Sequence, residues 1–471
     1  MTWTRRHVLG AGALTAAGLA AGAPAYAAPH AVPAGDPWRY ADAVARRVRA
    51  HPPRIPGRRL PVTAYGAVGD GRTDGTRAFA AAVAHAARLG GGHVVVPPGT
   101  YLTGPIRLRS RVGLHVEAGA TVRFRTDPAA YPLVYTRWQG IECRNFAPLI
   151  YAYGATDIAV TGRGTLDGQA SNTAWWPWKG LPEYGWTPGQ PTQDADWARL
   201  QALADAGTPV RERVFGAGHY LRPNFIQPYR CTRVLVEGVT IIGSPMWEIH
   251  PVLSTYVRVS DVTVVSHGPN NDGCDPESCT DVLISGATFD TGDDCVAVKA
   301  GRNADGRRVH APSRDIVIED CLFRDGHGGV TIGSEMTGGV SAVFARDLEM
   351  SSPNLNDCLR LKTNSMRGGY IRDVYLRDVE VGRLAVAGLE IDFNYDEGGG
   401  HPYPPDVGGI SMERVHVGST KYALDLQGYA DDHIHGVTLT DCAFDHAAEP
   451  NIISYVDDLK LVNVTINGAP V

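Results

Sequence analysis

One stretch of the chain concentrates the residue types that can exchange protons. Residues 270–295 read NNDGCDPESCTDVLISGATFDTGDDC, which places Asp272 on one Asn/Gly turn and the pair Asp293 and Asp294 on another, 21 residues later. Carboxyl groups held close together raise one another's pKa, so that one can remain protonated while another is ionised. Because such turns are also common for purely structural reasons, either turn alone would indicate little.

Two polar turns follow this acidic stretch. His327 lies between glycines in GHGG, which leaves little side chain to bury its ring, and Arg360 and Lys362 stand two residues apart in RLK. Residues i and i+2 of a strand share a face, and a guanidinium group suits a carboxylate ligand. The order of acids, histidine and cations therefore predicts a site for an acidic substrate. The alternatives are a structural histidine and a solvated pair of cations.

Hydrolysis of a glycosidic bond is a chemistry that these carboxyl groups can perform. It needs one carboxyl group that protonates the leaving oxygen and a second that activates water or attacks directly. Asp272, Asp293 and Asp294 are sufficient for both roles. Clustered carboxylates also bind calcium, which on a β-helical scaffold would indicate a lyase. No cysteine spacing indicates a zinc site.

The elements that would position these turns repeat along the chain. Segments with alternating apolar residues on both sides of a polar corner recur every 22 to 36 residues, for example TRVLVEGVTI, TYVRVSDVTV and TDVLISGATF. This step fits one coil of a parallel β-helix, whereas several sandwich domains would need linkers. Stacked coils lie about 4.8 Å apart. We therefore expect Asp272, Asp293, His327 and Arg360, which follow successive copies, to form one ladder.

Three segments depart from the repeat. Helical patterns occupy residues 36–53 and 74–89, where Pro52 and Gly90 respectively mark their ends. Residues 169–229 interrupt the repeat with five of the nine tryptophans and a third helical pattern, DADWARLQALADAG. This insertion is predicted either to cap the surface of the solenoid or to form an aromatic wall on which sugar rings stack.

Residues 1–27 have the features of an export signal. Arg5 and Arg6 precede a weakly apolar Gly/Ala stretch that ends in the cleavage-site pattern Ala25-Tyr26-Ala27. Paired arginines in this position are typical of the twin-arginine route. We therefore expect a secreted protein in which residues 28–471 form one catalytic domain that contains the insertion.

Composition limits the classes of partner. The formal net charge is −6, and it becomes −8 when the two arginines of the signal are removed. Such a charge disfavours nucleic acid as a partner, and no run is long and apolar enough for a membrane helix. The eight cysteines are expected to be buried thiols, although Cys274 and Cys279 are close enough in sequence to pair.

The motifs NNDGCD, GDDC, GHGG and RLK resemble, in this order, the four motifs of the family 28 glycoside hydrolases, the polygalacturonase family. With YGAVGDGRTDGT and PPGTYLTGPI, the resemblance runs from Val62 to the C-terminus. Four ordered motifs are specific where one alone is weak. The resemblance implies an all-β, single-domain, right-handed parallel β-helix. It also implies inverting hydrolysis of α-1,4-linked galacturonate in polygalacturonate or pectin, with no metal or other cofactor.

Residue roles follow from the matching motif positions. The resemblance implies that Asp293 is the general acid, that Asp272 and Asp294 activate the water, and that His327 supports the acid and the substrate. The residues that it implies for substrate binding are Arg360, Lys362, Asn270 and, by a looser alignment, Tyr395. The presence of the histidine and both cations favours galacturonan over rhamnogalacturonan.

The insertion, the segment NNDGCDPES and residues 300–308 resemble bacterial exo-acting members of the family. An exo-acting enzyme must close one end of its cleft, and the insertion is long enough to do so. We therefore expect an exo-acting, secreted monomer. The alternatives are an endo-polygalacturonase, a rhamnogalacturonan-type hydrolase, a calcium-dependent pectate lyase and a non-catalytic pectin-binding solenoid.

Overall fold

The computed structural model describes residues 32–471, and the predicted export signal lies outside them. The expected parallel β-helix is confirmed, because three parallel sheets run along one solenoid and successive coils pair strand on strand. The first apolar positions of the repeat stack in a single register, which runs Ile158, Val234, Val257, Val282, Ile316, Val343, Val374, Ile410 and Val437.

The first sheet contains these repeat strands. Its members are Arg59–Pro61, Gly92–Val96, Val112–Val116, Thr156–Gly162, Thr232–Glu237, Thr255–Ser260, Thr280–Ser285, Ser313–Glu319, Val340–Met350, Tyr370–Arg383, Asp406–Ser419, Ile434–Thr440, Val456–Asp457 and Lys460–Val462. The second sheet follows after the polar corner. Its members are Asp70–Asp74, Gly99–Thr103, Ala120–Phe124, Thr165–Asp167, Thr240–Ile242, Thr263–Ser266, Thr288–Thr291, Leu322–Asp325, Ala443–Phe444, Thr465–Ile466 and the antiparallel Ala469–Pro470.

The third sheet carries the sequence motifs. Its members are Ile106–Arg107, Ile150–Tyr153, Ile226–Tyr229, Val296–Val298, Gly328–Ile332, Asp357–Lys362, Ala387–Asp392, Tyr422–Gln427 and Ile452–Ser454. Single-residue bridges at Ile249 and Cys274 continue the sheet between Ile226–Tyr229 and Val296–Val298. An antiparallel hairpin, Leu133–Trp138 with Ile141–Phe146, rises from this side of the solenoid.

The polar corner of the repeat has a conformational role. At successive coils Asp261, Asp320, Asp347, Asp378 and Asp441 occupy it with φ between 52° and 55°. Aspartate tolerates this left-handed region better than most residues, because its short side chain can bond to the local backbone. The corner therefore turns the chain from the first sheet to the second while the flanking apolar residues fill the core.

Four helices flank the solenoid in the described residues: α1 Pro37–Arg49, α2 Thr76–Arg88, α3 Asp194–Asp205 and α4 Asn303–Val309. The first three match the predicted helical patterns, whereas α4 was not predicted. Short 3₁₀ turns occupy Val62–Tyr65, Pro128–Ala130, Trp176–Lys179, Pro182–Tyr184 and Val210–Glu212. Helix α1 begins where the Asp36 carboxylate accepts from the Trp38 backbone N–H, and Trp38 then packs on Phe344 on the outer face of the first sheet.

The cysteines are buried free thiols, so the pairing of Cys274 with Cys279 does not occur. Among residues 32–471 no helix is both long and apolar enough to cross a membrane.

Candidate active site

The third sheet sets the spacing of the acidic residues. Cys274 pairs with Val296, so Asp272 and Asp294, each two residues earlier, lie on adjacent coils. The next coil brings His327 against Asp293, whose backbone carbonyl accepts from the His327 N–H at 2.9 Å. The predicted single ladder is therefore wrong. Asp293 and Asp294 are neighbours in the sequence, so they belong to two separate stacks of residues rather than to one. Arg360 pairs with Thr331, which lies further along the chain than His327.

Two buried polar side chains hold the turn at Asp272. The Asn271 amide donates to the backbone carbonyls of Ser244 and Met246, and its oxygen accepts from the Gly268 N–H. From the insertion, Arg222 donates to the Pro269 carbonyl at 2.6 Å and to the Asn270 side-chain oxygen at 2.8 Å. These bonds fix the turn before any substrate binds, as a preorganised site requires.

The three carboxyl groups converge. One oxygen each from Asp272, Asp293 and Asp294 lies within 4.8 Å of the others. Asp272 and Asp294 are almost fully buried, and Asp293 is the most open, with 20% of its side chain exposed. The Lys362 Nζ lies 2.7 Å from Asp294 Oδ2, and the Lys299 Nζ lies 3.4 Å from Asp272 Oδ2.

Burial and charge separate the pKa values of the acids. Burial, together with the charges of Asp293 and Asp294, raises the pKa of Asp272 to about 7, although Lys299 opposes the shift. Burial also opposes the ionisation of Asp293. Its pKa is nevertheless held below the usual range, because the hydrogen bond and charge of His327 and the charge of Lys362 outweigh burial.

His327 is a further group of the site that can carry a proton. Its Nδ1 lies 3.3 Å from Asp293 Oδ1, and this contact raises the pKa of the imidazole despite partial burial. The site therefore contains exchangeable protons on Asp272 and on the His327–Asp293 pair. These groups titrate as a coupled unit rather than as independent residues. A site that holds both a protonated and an ionised carboxyl group can supply acid and base to the same bond.

A cavity of about 520 Å³ opens over the carboxyl groups. It brings together the predicted residues Asp272, Asp293, Asp294, Asn270, Lys362 and Tyr395. Its remaining lining residues are Gln139, Lys179, Trp197, Gln201, Trp247, Lys299, Arg302, Ser334, Glu335, Asp396 and Glu397. Tyr395 presents its ring to the Lys362 ammonium at 5.2 Å.

Two predicted residues lie beside this cavity rather than in its lining. His327 lines a neighbouring cavity of about 460 Å³ with Tyr184, Asn354 and Asn356. Arg360 lies 3.2 Å from Asp357 and also forms an ion pair with Glu390, with its guanidinium 5.8 Å from the Tyr395 ring. The role of Arg360 in binding substrate therefore stays a prediction.

The insertion forms part of the cavity wall through three residues, Lys179, Trp197 and Gln201. Trp197 packs on Trp138 of the hairpin and receives the Arg302 guanidinium on its ring at 4.9 Å. The other tryptophans of the insertion have different roles. Trp175 is buried in the core, Trp176 and Trp178 pack against it, and Trp186 bonds to its own loop. One part of the insertion thus packs on the solenoid and another lines the cavity, whereas the stacking of sugar rings on it stays a prediction.

The sequence interpretation missed Lys299 and Lys179. Lys299 is 3% exposed and lies between Asp272, Asp275 and Glu335 at 3.4 to 3.5 Å, with its ammonium 4.5 Å from the Trp247 ring centre. The amino-acid composition could have drawn attention to both lysines. The chain has only five lysines, and three of them, Lys179, Lys299 and Lys362, line this one cavity.

Comparison with known proteins agrees with this geometry. Residues 217–462 match the family model described as glycosyl hydrolases family 28, and residues 60–120 match one described as rhamnogalacturonase A/epimerase, pectate lyase-like. A solved hyperthermoactive exopolygalacturonase from Thermotoga maritima is 44% identical, with a TM-score of 0.89 over 92% of this chain and 97% of that chain. The chain belongs to glycosyl hydrolases family 28.

Two curated relatives extend the comparison. A probable polygalacturonase from Vitis vinifera is 28% identical over 86% of this chain and 78% of its own length. An exo-poly-alpha-D-galacturonosidase from Dickeya chrysanthemi is 26% identical over 73% of this chain and 58% of its own length. As a family 28 member the protein is a glycoside hydrolase, which favours the hydrolytic interpretation of the three acids over the lyase and the non-catalytic solenoid.

Proposed function

We propose that this protein hydrolyses the α-1,4-galacturonosidic bonds of polygalacturonate from a chain end, with inversion at the anomeric carbon. The observation that carries the proposal is the placement of Asp272, Asp293 and Asp294 on the floor of a cavity that also contains four cations and that the insertion closes on one side. Cations suit a polyuronate, because each sugar unit brings a carboxylate into a protein of net negative charge.

The roles of the acids follow from their exposure and contacts. Asp293 is the most open of the three and shares a proton with His327, so it is the group placed to protonate the leaving oxygen. Asp272 and Asp294 lie on adjacent coils below it and together hold the attacking water. The Lys362 ammonium contacts Asp294 Oδ2 at 2.7 Å, whereas Oδ1 has no hydrogen-bond partner among the described residues.

Inversion requires room for a water molecule between acid and base. Inverting pairs usually have carboxyl groups about 6.5–9.5 Å apart, whereas retaining pairs are about 5–5.5 Å apart. The nearest oxygens here lie within 4.8 Å of one another, so spacing alone does not favour inversion. Our proposal instead assigns the water to two carboxylates at once, Asp272 and Asp294, and it rests on the similarity to family 28.

The wall that the insertion forms on one side of the cavity supports exo action. Arg302 contacts Glu335 at 3.2 Å and Glu397 at 3.0 Å, lies on the Trp197 ring, and donates its backbone N–H to Gly140 of the hairpin. One residue thereby joins the hairpin, α3, the end of a third-sheet strand and the loop around residue 397. A wall fixed at so many points would stop a polysaccharide chain from passing through.

Export by the twin-arginine signal of residues 1–27 and a monomeric state are parts of the proposal that rest on sequence alone. We also expect activity without calcium, because the ammonium groups of Lys299 and Lys362 already contact Asp272 and Asp294. N-terminal sequencing of the exported protein and its mass in solution would test the first two statements.

The decisive experiment is a time course on polygalacturonic acid in the presence of a chelator, with products separated by chain length. Release of galacturonate from the earliest times would support the proposal, whereas a ladder of oligomers would show endo action. An unsaturated product, or loss of activity with the chelator, would point to a lyase. Proton NMR of the first-formed anomer decides between inversion and retention, and rhamnogalacturonan fragments are the next substrate if no cleavage occurs.

A further inference from the structure

Lys179 enters the cavity from the insertion on a firmly anchored turn. It ends the 3₁₀ turn Trp176–Lys179, whose next residue, Gly180, has φ 84°. Trp176 donates its indole N–H to the Ser244 carbonyl at 2.8 Å, and the Trp178 carbonyl accepts from the Gln193 N–H at 2.7 Å. The ammonium group is therefore carried by a backbone that is held in place without it.

The other cations of the cavity already have partners. Lys299 contacts three carboxylates, Arg302 contacts Glu335, Asp396 and Glu397, and Lys362 contacts Asp294. Lys179, in contrast, forms no hydrogen bond or ion pair through its ammonium group with any residue in the described range 32–471. It is the one lysine of the cavity whose charge is not balanced by a direct contact.

The electrostatics of the empty cavity disfavour an anionic ligand. Six carboxyl groups line it, against four cations. An incoming uronate would meet this negative surface unless a cation were free to receive it, because charges in a partly buried site are weakly screened. Burial and the nearby Arg222 lower the pKa of Lys179, so its charged form lacks compensation in the free protein. A ligand carboxylate would supply that compensation.

We propose that Lys179 binds the carboxylate of the galacturonate unit that occupies the walled part of the cavity. The inference deepens the proposed function and rests on it for the identity of the sugar. It assigns the insertion a second task. Besides closing the cavity, the insertion distinguishes a uronic acid from the neutral sugar of the same configuration, since galactose lacks the carboxylate that Lys179 would contact.

The test compares galacturonate with galactose as ligands of the Asp293→Asn protein, in which turnover is expected to be greatly reduced while the cavity is retained. Binding would be measured by calorimetry for this protein and for the same protein with Lys179→Met, Lys179→Arg or Lys421→Met added. Lys421 is exposed on another part of the solenoid and serves as the matched control. A charge-assisted contact predicts that Lys179→Met weakens galacturonate binding roughly ten-fold to a hundred-fold.

The expected pattern is selective. Lys179→Met should leave galactose binding unchanged, Lys179→Arg should recover part of the galacturonate affinity, and Lys421→Met should change neither. Equal loss of both sugars would indicate a structural role and would overturn the inference. Unchanged galacturonate binding in Lys179→Met, or a parent protein that binds the two sugars equally, would also overturn it. Failure of the wild-type enzyme to release galacturonate from polygalacturonate would instead refute the proposed function.

Discussion

Replacement of Lys299 by methionine tests the electrostatic account of the active site most directly. Methionine fills much of the same volume and keeps the contact with Trp247, but it removes the positive charge that faces Asp272, Asp275 and Glu335. All three carboxyl groups are buried, so water cannot replace the lost ammonium. The substitution therefore isolates charge from packing.

The magnitude follows from the distances. A pair of unit charges 3.4 Å apart interacts by about 5 kcal/mol at an effective dielectric constant of about 20. Desolvation offsets part of this attraction, but removal of one partner from a buried pair typically costs about 3–5 kcal/mol. We therefore expect Lys299→Met to lower the free energy of unfolding at pH 7 by about 3 kcal/mol or more, measured by urea denaturation.

The pH dependence gives a second, independent readout. The pKa of Glu335 is lowered to about 2, since Lys299 and the neighbouring arginines outweigh burial, so it stays ionised and part of the loss persists at pH 4. Asp272, with a pKa of about 7, becomes charged only as the pH approaches 8, so the stability loss should grow there. Without Lys299 its pKa rises further, so the acid limb of kcat/KM, which follows the ionisation of Asp272 as the base, should move to higher pH by at least about one unit.

Lys460→Met, at an exposed position of the last coils, is the control and should change neither property. A stability loss below about 1 kcal/mol for Lys299→Met, together with an unchanged pH profile, would refute the reasoning. Removal of a buried charge that compensates three carboxyl groups must destabilise the folded protein.

The remaining predictions concern the other parts of the site. Asp293→Asn should reduce kcat about 100-fold to 10,000-fold with no change in the unfolding midpoint, and substantial residual turnover would remove Asp293 from the role of acid. In the wild-type enzyme kcat/KM should rise toward about pH 7, because burial and the neighbouring acids raise the pKa of Asp272 to about 7 and this carboxyl group must lose its proton before it can accept one from the attacking water; a profile that is flat between pH 4 and pH 7 would contradict this. The same raised pKa means that the contribution of Asp272 to stability is present near pH 4 and is lost as the pH rises through 7, which thermal unfolding at several pH values would detect. Arg302→Gln should loosen the wall and add oligomers to the early products, whereas Arg211→Gln, on the exposed surface of the same insertion, should not; identical product patterns for both would show that Arg302 does not maintain the wall.

The solenoid was predictable from the amino-acid sequence alone. Alternating apolar residues with a polar corner are a local pattern, and its repetition fixes which strands stack, so the register from Val234 to Val437 and the single-domain β-helix were predictable. The four motifs likewise predicted that Asp272, Asp293, Asp294 and Lys362 belong to one site, and the structure places all four in the lining of one cavity. Helices α1, α2 and α3 followed from periodicity and their stop signals.

How these residues meet in space could not be predicted from the sequence. Whether Asp272 stands beside Asp293 or Asp294 depends on the length of each loop before the strand, which a repeat period does not specify. The wall depends on contacts between segments far apart in the chain, such as Arg302 with Trp197 and Glu397. Whether the charge of a buried side chain is compensated also depends on which distant segments folding brings together. The sequence does not distinguish Lys299, which has carboxylate partners, from Lys179, whose ammonium group has no hydrogen-bond or ion-pair partner among residues 32–471. The difference is set by the carboxylates that folding brings within a few ångströms.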